Sequence, residues 1–413
     1  MNAAIADVLN EVKLMTDLWT HAKTIIPQGN GLLSKRKEVR SSNWPVYYQR
    51  AHGCEVWTPE NTHYFDFNIM GVGCCVLGYS DPDVNMAAWE AAEEGNMCTL
   101  NCPEEIELAE VLLQHNPKMD MVRFSRMGGD AMAQVVRVAR AYTGKDKVII
   151  SPHGYHGWHD WYMATGTNQQ PNAGIPHELT PLTTFDAPLG EVAAIVIEPD
   201  QVFKPWLEYL RHMATEMNIP LIFDEITCGF RNTMNGYYST IGVVPDIVVY
   251  GKALGNGYPI YAIMGKREIM EAYEKTFISS TMNTERTGFA AALATIEKME
   301  DKNVPAWLRA TGKEIKYIWQ KAAQDHGLEI ELSEIDPLAT FAFKGDDDLN
   351  RMTLYTQEMV KRGFLSSSQF RASYAHKSEH VNKFEGAVEG VFEDMAEARV
   401  TLEGPPMQGG VRK

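Results

Sequence analysis

The 413-residue chain has few cysteines, no long apolar run and no excess of positive charge. Its six cysteines form no C-x-x-C pair and stand beside no histidine cluster, which excludes a structural zinc site and favours buried free thiols in a reducing compartment. No apolar run reaches membrane-spanning length, and the first residues lack the basic and apolar regions of a secretion signal. We therefore expect a cytoplasmic protein with no membrane partner.

The charge and the length of the chain limit its partners and its organisation. The formal net charge is −16, and a nucleic-acid partner is not expected because phosphate binding needs a basic face. A chain of this length is too long for one small core. We expect residues 1–60 and 301–413 to form a smaller domain from both chain ends, around a large domain at 61–300.

Helical and strand patterns alternate from about residue 105 onwards. The apolar strand patterns are MVRFS, KVIIS, AAIVIEP, PLIFDEI and DIVVYG, and helical patterns such as DAMAQVVRVARAYTG and EYLRHMATEMN lie between them. This alternation predicts an α/β fold with a mostly parallel sheet that is covered on both faces. The Gly/Pro-rich tail LEGPPMQGGVRK is expected to be loosely ordered.

A single lysine, Lys252, follows the apolar run DIVVYG, and glycines follow at 255 and 257. A surface lysine is the default interpretation of such a residue. A Walker-type phosphate loop does not fit, because Gly251-Lys252 precedes the glycines instead of following them. A third interpretation is an amine nucleophile that forms a Schiff base with a carbonyl cofactor.

Polar residues also follow two other predicted strands, with Glu198 after IVI and Asp224 after LIF. The carboxyl edge of an open parallel sheet is where ligands bind. An amine at Lys252 and a carboxylate at Asp224 suit pyridoxal phosphate, whose ring nitrogen the carboxylate would keep protonated. A salt bridge between strand ends is the alternative for this pair.

Two further segments can complete such a site. Gly128 and Gly129 precede a predicted helix, whose free N–H groups and dipole attract a phosphate. In GYHGWHDWY, the ring of Tyr155 can stack on a flat cofactor, although core packing is the usual role of such a residue. The H-x-x-H-x-x-H spacing here has no acidic companion in a convincing metal-ligand pattern, so no metal site is expected.

Together, the blocks FDEITCGFR, PDIVVYGKALGNGYP, ARAYTGKDKV, YHG and GGDA resemble the class III pyridoxal phosphate-dependent aminotransferases. The resemblance covers nearly the whole chain and is closest to the glutamate-1-semialdehyde aminomutase-like branch. It implies fold type I, with a doubly wound large domain and a homodimer whose active sites lie at the subunit interface. It also implies that Lys252 holds the cofactor and shuttles a proton, that Asp224 contacts the pyridine nitrogen and that Tyr155 stacks on the ring.

The resemblance assigns the phosphate to Gly128 and Gly129 and to Thr281, which would reach the phosphate of the partner subunit, and it places Glu198 among the cofactor-binding residues. The family's Ser-Gly-Thr at the helix entry is replaced by Met127 and the two glycines, so phosphate binding must rely on backbone amides and Thr281.

Other departures concern the substrate. The aminomutase has a glutamate after Ser-Gln-Phe where this chain has Arg371, which favours binding of a carboxylate; an exposed loop arginine is the alternative. After the IPQG segment, Lys35 or Arg36 takes the place of the family's Ser and Arg in an uncertain register.

The segments GYHGWHDWY and STMNTER resemble aminotransferases of bacterial surface-glycan pathways, such as lipopolysaccharide biosynthesis. This implies amination of a keto or aldehyde sugar, for example a keto-octulosonate-type acid, with glutamate as donor. Trp158, His159 and Trp161 would then form an acceptor pocket that stacks against the sugar, with core packing as the alternative role for at least one tryptophan. The alternatives are glutamate-1-semialdehyde 2,1-aminomutase activity and a catalytically silent binding protein.

Overall fold

A computed structural model of the chain describes residues 17–151, 154–163, 189–345 and 347–408. The helix that the mixed polar and apolar spacing of residues 1–19 predicts lies almost wholly outside these ranges. The described helices are α1 Leu18–Ile25, α2 Pro82–Gly95, α3 Glu104–His115, α4 Gly128–Thr143, α5 Asp160–Met163, α6 Lys204–Glu216, α7 Tyr237–Ile241, α8 Arg267–Met270, α9 Arg286–Asp301, α10 Val304–Asp325, α11 Asp348–Lys361 and α12 Ser378–Ala396.

The described strands form three sheets. They are β1 Arg50–His52, β2 Glu55–Trp57, β3 His63–Asp66, β4 Met121–Ser125, β5 Lys147–Ile150, β6 Val192–Ile197, β7 Leu221–Asp224, β8 Ile247–Tyr250, β9 Tyr261–Gly265, β10 Ile330–Leu332, β11 Phe341–Phe343 and β12 Phe364–Leu365. The largest sheet has six strands in the order β4-β9-β8-β7-β6-β5.

The central sheet confirms the predicted α/β class and adds a strand that the pattern did not predict. Strands β5 to β8 pair in parallel, whereas β9 runs antiparallel to both β4 and β8. The segment that forms β9, YAIMG, follows Pro259 and contains a glycine, and these residues obscure its strand pattern.

Alternate residues of the central strands face two separate apolar clusters. Ile195 and Phe223 lie in one cluster, and their neighbours Val196 and Ile222 lie in the other. Side chains of a strand point alternately to its two faces, so both faces of the sheet are covered. Continuous apolar runs are the expected sequence signature of such a sheet.

The second sheet, in the order β1-β2-β3-β12, joins an early and a late segment of the described chain. Phe364 pairs with Phe65 in parallel, so strands far apart in sequence lie side by side. Phe65 lies just past the predicted domain limit at residue 60, and the division of the chain into two domains stays a prediction.

Two expectations about local structure are wrong. The tail is held rather than loose as far as residue 408: Met407 is buried and its N–H donates to Thr353 Oγ1, and the Gln408 N–H donates to the Glu38 carbonyl. The thiols are free but not all buried, since Cys98 is exposed on the segment after α2. None of the described helices combines the length and the apolarity needed to cross a lipid bilayer.

Candidate active site

Asp224 and Lys252 follow two neighbouring strands of the central sheet. Strand β7 ends at Asp224, whose register partner on β8 is Val249, and β8 ends at Tyr250. Parallel strands present their carboxyl ends at one edge, so the two residues emerge at the same edge of the sheet. The prediction that they follow matching strand ends is confirmed.

The carboxylate of Asp224 is buried and fixed by two contacts. Its Oδ2 lies 2.8 Å from His156 Nδ1, and its Oδ1 accepts a hydrogen bond of 3.1 Å from the Ile226 N–H. A carboxylate only accepts hydrogen bonds, so Nδ1 of His156 carries the proton and donates it. His156 belongs to the quoted YHG block, but sequence reasoning assigned it no role.

Lys252 is held in an uncommon backbone conformation. Its φ is 41°, in the left-handed region that non-glycine residues rarely adopt. Its Nζ donates a 2.8 Å hydrogen bond to Thr227 Oγ1. Its stem lies against the turn at residues 71–73, here called the glycine loop, since a Cβ on Gly73 would come within 3.8 Å of Lys252 Cδ. Thr227 was not predicted as a site residue.

The helix α4 begins at Gly128, as the pattern predicts, and Met127 gives it no side-chain cap. A Cβ on Gly157, whose φ is +97°, would lie 2.6 Å from the Cα of Gly129. Only glycines allow this approach of the 154–159 loop to the helix entry. His159 also lies here, with Nε2 3.3 Å from Asp130 Oδ1.

Tyr155 lies beside this entry and is not a core residue, because 41% of its side-chain surface is exposed. Its backbone N–H donates to Oε2 of the buried Glu198 at 2.8 Å, so Glu198 positions the Tyr155 loop through the main chain. Of the two tryptophans, Trp161 is buried and Trp158 is exposed.

A residue that sequence reasoning missed, Tyr261 at the start of β9, packs against the glycines on both sides of the site. A Cβ on Gly128 would lie 3.2 Å from its ring, and one on Gly251 would lie 2.2 Å away. Burial raises the pKa of the Tyr261 phenol, and Asp224 and Tyr155 raise it further. The phenol therefore stays protonated at neutral pH. Because β9 itself was not predicted, no sequence signal pointed to this residue.

Thr281 is exposed on the short turn Thr281–Thr284. The buried guanidinium of Arg126, two residues before the helix entry, donates to the Met282 carbonyl at 2.8 Å and to that of Glu285 at 2.5 Å. The turn that carries Thr281 is thus tied to the start of α4.

Arg371 and the alternatives Lys35 and Arg36, which the sequence analysis relates to the substrate, lie in different surroundings. The Nη2 of Arg371 donates to Gln369 Oε1 at 3.0 Å, and its backbone N–H donates to the Asn68 carbonyl. Of the alternatives Lys35 and Arg36, Arg36 donates to the Gln28 side chain, whereas Lys35 lies close enough to Cys74 for its charge to affect that thiol.

Burial dominates the electrostatics at this edge. It raises the pKa of the Cys74 thiol, and the positive charges of Lys252, Arg231 and Lys35 oppose this. It also raises the pKa of Glu225 to about 8, although both carboxylate oxygens accept backbone N–H groups, those of Tyr237 and Tyr238. Glu225 thus anchors the start of α7.

Within the described ranges, no group of three or more metal-ligating side chains occurs.

Comparison with known proteins identifies the family. The chain matches the family model of aminotransferase class-III over residues 37–190 and 167–330. It is 28% identical to the 3-aminobutyryl-CoA aminotransferase of Cloacimonas acidaminovorans, over 93% of this chain and 97% of that protein. It is 30% identical to the glutamate-1-semialdehyde 2,1-aminomutase of Methanocaldococcus jannaschii, over 85% of this chain and 92% of the relative.

A third relative and a solved structure extend the comparison. The 2'-deamino-2'-hydroxyneamine transaminase of Streptomyces kanamyceticus is 28% identical, over 80% of this chain and 86% of its own. The FumI protein of Sphingopyxis sp. MTA144, solved in its PLP internal aldimine form, superposes with a TM-score of 0.85 at 22% identity, covering 95% of this chain and 98% of that one.

The chain therefore belongs to the class-III aminotransferase family. It is a pyridoxal 5'-phosphate-dependent aminotransferase of fold type I, which transfers an amino group from an amino donor to a carbonyl acceptor.

The residues at the sheet edge fit this cofactor. The uncapped start of α4 offers N–H groups to a phosphate, and a Cβ at Gly128 or Gly129 would crowd Tyr261 or His159. The buried Asp224–His156 pair offers a carboxylate of fixed orientation, and Lys252 offers a primary amine.

Proposed function

We propose that the residues at this edge divide the work of transamination among them. Lys252 supplies the reacting amine, Asp224 the carboxylate for the ring nitrogen, Tyr155 a face against the ring, and Gly128 and Gly129 the N–H groups for the phosphate. Bound pyridoxal 5'-phosphate supplies an aldehyde that accepts the amino group and a ring that accommodates the electron pair of the α-carbon.

The observation that carries this proposal is that Asp224 and Lys252 emerge from adjacent strands beside the uncapped helix entry. Lys252 takes a proton from the substrate α-carbon as a general base and, as a general acid, would return it to the aldehyde carbon of the bound cofactor. His156 keeps Asp224 oriented through the 2.8 Å hydrogen bond to its Oδ2.

Borohydride reduction of the loaded enzyme, followed by peptide mapping, tests the assignment of Lys252. We expect the cofactor on Lys252 alone. A label on Lys35 or on another lysine contradicts the assignment.

For the substrate, we propose a keto or aldehyde sugar of surface-glycan biosynthesis, aminated at the expense of glutamate. Support comes from the exposed ring of Trp158, which lies parallel to the ring of His159 with 4.8 Å between centroids and an interplanar angle of 17°. His159 in turn lies against Gly129 at the helix entry. Exposed aromatic faces at the entrance of a site suit the C–H faces of a sugar ring.

The donor is tested by half-reaction spectroscopy with single amino acids, and the acceptor by adding keto and aldehyde sugars to the aminated enzyme. Trp158→Ala should raise KM for the true acceptor about 3- to 10-fold and leave the donor half-reaction unchanged. The matched control is Trp206→Ala, which removes another exposed tryptophan, stacked on Tyr209 in α6. Equal effects of the two substitutions contradict an acceptor pocket at Trp158.

An intramolecular aminomutase is the second candidate, because a relative with that activity is 30% identical over most of the chain. Incubation with glutamate-1-semialdehyde and no amino donor distinguishes the two. Formation of 5-aminolevulinate supports the aminomutase, and its absence together with turnover of a sugar acceptor supports the aminotransferase.

We further propose a homodimer in which Thr281 of one subunit contacts the cofactor phosphate bound by the other. The exposed turn that carries Thr281 also carries the exposed Met282, and Phe277, which is 90% exposed, lies shortly before it. Such apolar exposure suits a subunit interface.

Subunit mixing tests the shared site. Lys252→Ala and Thr281→Glu subunits should each be inactive alone, and their mixed dimer should recover one working site, formed by Lys252 of one chain and Thr281 of the other. No recovery in a verified mixed dimer contradicts sharing through Thr281.

A further inference from the structure

Thr227, in the turn after β7, holds the amine that the proposed function uses. The Nζ of Lys252 donates a 2.8 Å hydrogen bond to Thr227 Oγ1. The contact joins the turn that follows Asp224 to the residue that follows β8, so it bridges the carboxyl ends of two neighbouring strands.

Thr227 is itself fixed by a buried cation. The Nε of Arg231 donates to the Thr227 carbonyl at 2.6 Å, and its Nη2 donates to the Gly73 carbonyl. Arg231 is only 1% exposed, and burial lowers its pKa to about 10, so it stays charged at neutral pH. A buried guanidinium between two carbonyls locks both segments, since leaving either carbonyl would leave a charged donor unpaired.

The glycine loop completes the arrangement from the other side. A Cβ on Gly73, whose φ is +82°, would lie 2.9 Å from Arg231 Nη2 and 3.8 Å from Lys252 Cδ. The lysine stem, the guanidinium and the loop are therefore in contact, and Thr227 Oγ1 contacts the head group.

We propose that Thr227 is a positioning residue that keeps the amine of Lys252 in one place throughout proton transfer; this rests on the proposed role of Lys252. A hydroxyl both accepts and donates hydrogen bonds, so it can accept from Nζ when the amine is protonated and donate to Nζ when it is neutral. Thr227 neither gains nor loses a proton in the cycle. Without this contact, the flexible lysine side chain loses rotamer freedom each time it reaches the α-carbon.

Variants that remove or keep the Thr227 hydroxyl test this proposal. Thr227→Val should lower kcat about 10- to 100-fold while KM for the donor changes little, because misplacement of a reacting group slows the chemical step. The isotope effect with an α-deuterated donor should rise as proton transfer becomes rate-limiting. Thr227→Ser keeps the hydroxyl and should restore kcat to within about threefold of the unchanged enzyme.

A second readout needs no turnover. The apoenzyme of Thr227→Val should capture pyridoxal 5'-phosphate at Lys252 more slowly than the unchanged chain, measured by absorbance without any substrate. Thr240→Val is the matched control, since it makes the same change in α7, where the hydroxyl donates to the Tyr237 carbonyl. Should Thr227→Val fail to fold, Thr227→Ala removes the same hydroxyl.

The outcomes separate this proposal from the proposed function. If borohydride places the cofactor on Lys252 in every variant but Thr227→Val matches the unchanged enzyme in kcat and capture rate, positioning by Thr227 is overturned and Lys252 keeps its role. The same holds if Thr227→Ser is as slow as Thr227→Val. If the cofactor is found elsewhere, the proposed function itself fails.

Discussion

The sheet-edge site, formed by Asp224, Lys252, His156 and Thr227, differs from the C-terminal core in how its buried groups are satisfied. The C-terminal core consists of the buried rings Trp319, Phe341, Tyr355, Phe384 and Phe392. There, the Trp319 N–H donates to the Tyr355 hydroxyl at 3.2 Å, and that hydroxyl shares a 2.9 Å hydrogen bond with Ser366. Every polar atom of the five side chains has a partner.

At the sheet edge, by contrast, the structure keeps features that do not favour stability. Lys252 has a φ of 41°, and His156 Nε2 is buried with no hydrogen bond to any described residue. Arg231 is buried against carbonyl groups. Strained backbone and incompletely paired polar groups concentrate at functional sites, and the surrounding structure must hold them. The aromatic core therefore stabilises the fold, while the sheet edge keeps the less favourable groups that the proposed function uses.

The largest expected effect is at Lys252. Replacement with alanine should lower turnover at least about 1,000-fold, because no other amine takes the place of a positioned nucleophile and base. The thermal midpoint should stay close to that of the unchanged apoenzyme, since alanine keeps the Cβ and the positive φ of this position and removes only the side chain beyond them. Steady-state assays and calorimetry measure the two quantities. Turnover near the original level would contradict the proposed role.

The next largest effect is expected in the C-terminal core, where a substitution should lower stability and leave substrate binding unchanged. Trp319→Ala should lower the free energy of unfolding by about 3–5 kcal/mol, because a large buried ring is lost and its cavity cannot close completely. The fraction that remains folded should keep its KM for the donor. Urea unfolding monitored by circular dichroism measures the loss. A change below about 1 kcal/mol would remove the contrast between the two regions.

The third prediction concerns pH and His376, which is fully buried beside the second sheet. Its Nε2 donates to the Asp66 carbonyl at 2.8 Å and its Nδ1 accepts the Ser373 N–H at 3.1 Å, so the neutral ring fits. Burial lowers its pKa to about 4. As pH falls, the unfolded chain therefore takes up the proton before the folded one does. The contribution of His376 to the free energy of unfolding is complete above about pH 6.5 and is lost towards pH 4, and it amounts to about 3 kcal/mol.

Urea unfolding between pH 7 and pH 4 tests this. His376→Gln should be less stable at pH 7, and its difference from the unchanged chain should shrink as pH falls. His52→Gln, at an exposed position of β1, is the control and should preserve the slope. Parallel pH curves for His376→Gln and the unchanged chain would contradict the prediction.

The smallest effect is expected at His156, which acts through Asp224. His156→Phe keeps a ring but removes a hydrogen bond to a charged group, a loss of about 1.5–3 kcal/mol, or roughly 10- to 100-fold in kcat/KM. His156→Asn places an amide N–H near the position of Nδ1 and should recover part of this. Trp161→Phe, which alters the ring stacked on His156, is the control. Cofactor affinity and kcat/KM are the measurements. Values for His156→Phe equal to those of the unchanged enzyme would contradict a role of His156 in orienting Asp224.

The sequence predicts the parts of the fold and site that depend on neighbouring residues. The apolar runs that end at Asp224 and Tyr250 predict two strands, and the glycines before DAMAQVVRVAR predict the helix entry, because strand periodicity and turn chemistry are local. Strand β9 was not predicted because Pro259 and Gly265 weaken its apolar pattern, and Tyr261, its first residue, was therefore not recognised as a site residue. The buried state of Met407 depends on contacts with α11, which the composition of the tail does not reveal.

The sequence by itself determined the α/β class, the family and the residue types that suit the cofactor, because these follow from periodicity and from motifs of a few residues. Only the tertiary structure decided that Lys252 rests on Thr227, that His156 orients Asp224 and that Arg231 joins Thr227 to Gly73. Gly73 and Arg231 are 158 residues apart in the chain, and such a contact exists only once the sheet has brought their segments to one edge.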